Sequence, residues 1–201
     1  MSADDSYFTL CQPSTGSLRE KGSRFLAYAW PVTSEEQIKS HLAGLRREHP
    51  AARHHCYAWR LGADKSRYRA NDDGEPPNSA GKPILSVVQG HNLSDVLIAV
   101  VRYFGGTLLG VNGLINAYRG AAMDAMQHAQ LQQCYPMQAY SASFAADQMN
   151  TVMRVLRQYT AQIVQQDYHT EFVLTFRVRK QQSRELEEEF SKLYTIELKQ
   201  Q

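Results

Sequence analysis

The chain has 201 residues, of which 43% are apolar and 21% charged, and its formal net charge is +2. That length admits one or two domains, and that balance excludes both wholesale disorder and a polyanion partner demanded by net charge alone. Three isolated cysteines, Cys11, Cys56 and Cys134, make neither a CxxC metal pair nor a disulfide framework, so a reducing, cytoplasmic compartment is expected.

The opening MSADDSYFTL lacks a basic, apolar leader, and no signal peptide is expected. Residues 24–30 read as a strand that Pro31 stops. Thr33 is placed to cap the next helix and Glu36 to complete a capping box; Ile38, Leu42 and Leu45 then recur at helical spacing until Pro50. Residues 55–61 alternate around Tyr57 and Trp59 as a strand, with a partner strand near 67–70. The stretch 71–83, NDDGEPPNSAGKP, is dense in turn formers and reads as an ordered loop. Ile84, Leu85 and Val88 suit a short helix, with Pro83 near its first turn. Residues 95–103 hold a continuous apolar run, as in a buried central strand, and that run is too short to span a bilayer. A glycine-rich loop at 104–113 precedes a long helix running to about Gln133, whose close-packing stripe is Leu114, Ala117, Ala121, Ala125 and Ala129.

Pro136 marks the expected boundary between domains 1–135 and 136–201. Beyond it a strand at 137–144 leads to a helix capped by Asp147 and carrying Val152, Val155, Leu156 and Tyr159. A hairpin of 161–167 and 171–178 turns near His169. A helix at 181–193 and a strand at 195–198 complete the β-α-β-β-α-β order of a ferredoxin-like domain. The fold class is α+β.

Several residues could carry chemistry. Asp72, Asp73 and Glu75 lie within four positions; they suit a divalent cation or acid–base work, and equally a tight turn and a helix start. Gly105, Gly106, Gly110 and Gly113 follow a strand and open a helix, an arrangement that presents N–H groups to an anion. No Walker or dinucleotide fingerprint is present, and glycines also serve positive φ and close packing. Leu108 and Leu109 suggest that part of this loop packs inward. From Arg46 to Arg69 seven basic residues, Arg53 among them, interleave with aromatic and histidine side chains, suiting unpaired RNA or an ordinary solvated face. His54 and His55 should point to opposite faces of a strand, which makes one shared metal ion unfavourable. Arg102, at the end of the central strand, must pair with an acid such as Asp73 or Glu75 or serve a ligand. Cys56 reads as strand packing. No nucleophile–base constellation is evident, and neither a cofactor nor a resident metal is expected.

Two long motifs add a resemblance. DDGEPPNSAGKP at 72–83 and VVRYFGGTLLGVNGLINAY at 100–118 resemble the signatures of the IMPACT/YigZ family, supported by KGSRF at 21–25 and RHHCYAW at 53–59. The resemblance implies a first domain similar to the βαβ fourth domain of elongation factor G, and a second similar to its fifth. It implies a translation-linked regulator binding RNA or the ribosome, since eukaryotic relatives regulate translation by competing for the activator of a stress kinase. A protein–protein regulator and a metal-assisted hydrolase using Asp72, Asp73 and Glu75 are the alternatives. The matching polar positions are Lys21, Arg24, His54, His55, Asp72, Asp73, Glu75, Lys82 and Arg102. The chain departs from the family pattern at Pro77, Asn78 and Asn112, where small residues or glycine are usual.

Overall fold

The computed structural model describes residues 5–168 and 170–201. The chain is α+β and forms two compact units, divided between Cys134 and Tyr135. Among the described residues, no helix is long and apolar enough to cross a membrane.

In the first unit the elements run β1 (Tyr7–Leu10), β2 (Ser14–Glu20), β3 (Ser23–Pro31), α1 (Glu35–Glu48), β4 (His54–Leu61), β5 (Arg67–Asn71), α2 (Gly81–Gly90), β6 (Val96–Tyr103), α3 (Gly110–Gln127) and β7 (Leu131–Cys134). Five strands form one sheet in the order β2-β3-β6-β4-β5. Both β3 and β4 pair antiparallel with β6, so they run parallel to each other, and α1 is their crossover. This is a split βαβ unit, with β6 filling the gap.

The apolar run of β6 follows from that central place. Its residues from Val96 to Val101 are fully buried. Val96, Ile98 and Val100 join a core with α2 and α3, whereas Leu97, Ala99 and Val101 join a second core beneath α1. A strand covered on both faces has no position that favours a polar side chain. Helix α3 lies close on the sheet because its stripe is small. A Cβ on Gly16 of β2 would fall 2.2 Å from the Ala125 nitrogen.

Three local expectations are corrected. The cap of α1 is Ser34, whose hydroxyl accepts from the Gln37 amide, while Gln37 Oε1 accepts from the Thr33 amide. The capping box is thus shifted one residue from Thr33 and Glu36. Helix α3 ends at Gln127, not near Gln133, because 131–134 pairs antiparallel with β1, a partner from the far end of the unit. Leu108 is 84% exposed, so only Leu109 of that pair turns inward.

The second unit comprises β8 (Met137–Phe144), α4 (Met149–Gln158), β9 (Gln162–Tyr168), β10 (Phe172–Arg179), α5 (Ser183–Ser191) and β11 (Glu197–Gln200). Its antiparallel sheet has the order β11-β8-β10-β9. Tyr140, Ala142, Phe144, Leu174, Phe176 and Val178 pack against Val152, Leu156, Leu186 and Phe190 of the two helices. Asp147 does not cap α4: it sits in a 3-10 turn, and no side chain caps the helix. The last helix and strand start later than expected, after a 3-10 turn at Lys180–Gln182. The turn assigned to His169 lies outside the described residues.

Candidate functional site

At the end of β6, the sheet register sets Arg102 between Phe25 of β3 and His54 of β4. Cross-strand partners share a face, so all three face the α2–α3 side. The Arg102 guanidinium lies 5.6 Å from the Phe25 ring centroid on one side and 5.6 Å from the Phe104 centroid on another. Its Nη1 donates to Glu75 Oε1 at 2.7 Å. Tyr118 of α3 donates its hydroxyl to the same oxygen at 2.7 Å and packs edge-on against Phe25. The side chains of Arg102 and Glu75 are 7% and 4% exposed. Of the two fates open to Arg102 in the sequence, pairing with Glu75 is therefore realised. Burial pushes the Tyr118 phenol up, so it stays a donor.

The loop before α2 holds Glu75 there. Asp72 accepts from the amides of Asn78, Ala80 and Gly81, at 2.9, 3.0 and 2.8 Å, tying the loop to the start of the helix. Asp73 sits at positive φ; it accepts from the His55 amide and from Arg46, and its carbonyl accepts from His54 Nδ1 at 2.9 Å. The three carboxylates thus act separately as cap, brace and buried counter-ion. Among the described residues no group of three or more acidic, histidine or cysteine side chains is arranged to hold a metal. Asn78 has a φ of 65°, which asparagine tolerates better than most residues, whereas Asn112 is an ordinary helical residue of α3.

His54 and His55 point to opposite faces. His55 is 5% exposed, lies on the α1 side, and burial holds its imidazole below the ordinary value. The Cys56 thiol donates to the Asp72 carbonyl, and burial pushes its pKa up, which keeps it un-ionised. That is the opposite of what a nucleophilic cysteine requires.

The glycine loop differs from an open N–H cradle. Lys21 and Gly22 both have positive φ and close a two-residue hairpin between β2 and β3. Gly105 presses on that hairpin: a Cβ there would fall 1.9 Å from the Gly22 carbonyl carbon, and its amide donates to Ser23. Gly106 and Gly110 have positive φ with open space beside them, and Gly113 lies in the first turn of α3. Phe104 and Leu108 are thereby thrust into solvent, 54% and 84% exposed. A pocket of about 230 Å³ lies between Arg53, His54, Arg102, Phe104 and Leu108.

The remaining basic residues do not form one surface. Arg60 is buried and bonds to the Leu93 carbonyl, Arg67 pairs with Glu35, and Lys65 reaches Asn92. Lys82 lines a separate groove of about 490 Å³ with Tyr68, Leu85, Ile115 and Arg119. Arg24 lies in a third hollow with Tyr28 and His49. Sequence reading passed over Phe104 and Tyr118 as site residues, and it expected Leu108 to pack inward. Tyr118 carried a signal, because a phenol within an alanine stripe needs a buried partner.

The family model of the Impact N-terminal domain matches residues 21–126. "IMPACT family member YigZ" of Escherichia coli is 36% identical over 172 residues, which cover 85% of this chain and 84% of that protein. The "Protein IMPACT homolog" of Saccharomyces cerevisiae is 36% identical over 98 residues, 46% of this chain and 37% of that protein. A crystal structure of a hypothetical protein superposes with a TM-score of 0.74 at 31% identity, over 96% of each chain.

Proposed function

The chain belongs to the IMPACT family, and from that premise we propose that it is a cytoplasmic, translation-linked regulatory protein that associates with RNA or the ribosome. The observation that carries the reading is the rim of Arg53, His54, Phe104 and Leu108. Arg53 is exposed and has no ion pair among the described residues, and it stands beside apolar side chains that no core requires. Guanidinium contacts to phosphate and ring contacts to bases need that combination. The same reading takes the split βαβ unit and the ferredoxin-like second unit as counterparts of the fourth and fifth domains of elongation factor G.

Sucrose-gradient sedimentation of a lysate at low and moderate salt tests this. Co-migration with ribosomes at low salt, release at moderate salt, and loss in an Arg53→Ala/Leu108→Ser variant are expected, because each phosphate contact adds to the salt dependence. Wild-type protein at the top of both gradients would remove the reading. Arg102 is a poor probe here, since its loss strands Glu75 in the core.

One observation favours a second reading, a protein–protein regulator. The groove between α2 and α3 sets Lys82 and Arg119 around Leu85 and Ile115. Affinity capture after nuclease treatment separates the two readings. The hydrolase alternative loses ground, because Asp72, Asp73 and Glu75 are each committed to different partners.

A further inference from the structure

We infer that the pocket over Arg102 binds the phosphate of a single nucleotide unit, with the attached base laid against Phe104. This rests on the reading of the same rim as the functional surface. Arg102 is 7% exposed and its Nη1 is committed to Glu75, yet its Nε is a buried nitrogen with no hydrogen-bond partner among the described residues. An unmet N–H on a buried charged group is unfavourable, so the donor capacity of this guanidinium is only partly used within the fold. Phe25 and Phe104 flank the guanidinium, and Arg102 contributes to the floor of the pocket beside Phe104.

The surroundings suit a phosphate. The lining contains no carboxylate, and Arg53 adds a second guanidinium at the mouth. His54 Nδ1 donates to the Asp73 carbonyl, which fixes the ring at the pocket wall; its Nε2 is then an acceptor, so the guanidinium groups supply the donors for a phosphate. The half-exposed Phe104 ring and the almost fully exposed Leu108 supply an apolar wall outside the charged floor. At about 230 Å³ the pocket is too small to enclose a tract of strand or a whole nucleotide, so the phosphate end would enter it while the base lies outside against Phe104. The unit could be a free nucleoside monophosphate or part of an RNA.

Calorimetry and nitrogen-15 spectra of the full chain test the site, with adenosine monophosphate, adenosine, inorganic phosphate and a short unstructured RNA carrying a 5′-phosphate or a 5′-hydroxyl. The monophosphate should bind, adenosine should bind at least tenfold more weakly, and the Arg102 Nε–H resonance should move. Phe104→Ala should weaken binding by about tenfold or more, within the range that stacking supplies. Arg53→Ala should weaken it similarly while leaving the fold intact. Tighter binding of RNA with the 5′-phosphate than of RNA with the hydroxyl identifies a strand end. Equal, tighter binding of both RNAs identifies an internal unit, and RNA no tighter than the monophosphate identifies a free nucleotide. Adenosine binding as well as its monophosphate, an unmoved Nε–H resonance, or indifference to both substitutions would overturn the assignment. Ribosome co-sedimentation that persists while nucleotides fail to bind would remove this site alone. Nucleotide binding without co-sedimentation would remove only the translation-linked reading.

Discussion

Replacing Glu75 with alanine should destabilise the first unit far more than removing an ordinary surface carboxylate. Glu75 accepts from both Arg102 and Tyr118, and both members of its ion pair are more than nine-tenths buried. Without it a guanidinium that cannot lose its proton is left in the core, and Tyr118 loses its acceptor. Stranding one charge of a buried pair costs about 3–5 kcal/mol, a large part of a typical domain stability of about 5–15 kcal/mol. Arg102→Leu should cost less, because Tyr118 still donates to the Glu75 carboxylate and the leucine fills part of the vacated space. The double substitution Glu75→Ala/Arg102→Leu should recover much of the loss, so the cycle should be strongly non-additive. Urea denaturation followed by tryptophan fluorescence reads this cleanly, since the two tryptophans, Trp30 and Trp59, both lie in the first unit. A Glu75→Ala penalty under about 1 kcal/mol, or an additive cycle, would refute the account of the buried pair.

Gly105→Ala should prevent stable folding, since its Cβ would collide with the Gly22 backbone at 1.9 Å, while Gly90→Ala, with open space around it, should stay within about 1 kcal/mol of wild type in the same urea assay. Asp72→Ala removes an acceptor shared by three amides and should cost about 1–2 kcal/mol, measured the same way. In native protein iodoacetamide should modify the exposed Cys11 readily and Cys56 only after denaturation, which mass spectrometry resolves. Burial lowers the pKa of His55, and that of His41 likewise, so the unfolded chain gains protons below about pH 6.5 before the folded chain does. Stability should therefore fall between pH 7 and pH 5, and His55→Leu should flatten that fall; an unchanged slope would exclude His55 as a cause.

Legibility in the sequence followed the range of the interactions. The capping box was visible and misplaced by one residue, because Thr33 and Ser34 are both able to cap and only the chain path into α1 chooses between them. The glycines at 105, 106, 110 and 113 were evident, but their use was not. Gly105 is required by Gly22, more than eighty residues earlier, and no local pattern reports that contact. The run from Arg46 to Arg69 reads as one basic surface, yet pairing of β4 with β5 divides it between two faces and buries Arg60.

Periodicity and punctuation by themselves determined the α+β class, the buried central strand, the helices that carry Ile38, Leu42 and Leu45, and the strand–helix order of the second unit. These depend on side-chain spacing within one element, which the chain states directly. Tertiary structure alone decided that Arg102 meets Glu75 and Tyr118, that Leu108 faces solvent, and that 131–134 leaves the helix to pair with β1. Each depends on contacts between segments far apart in the chain, where the cost of burying a charge or leaving an edge amide unpaired is set by neighbours that arrive only with folding.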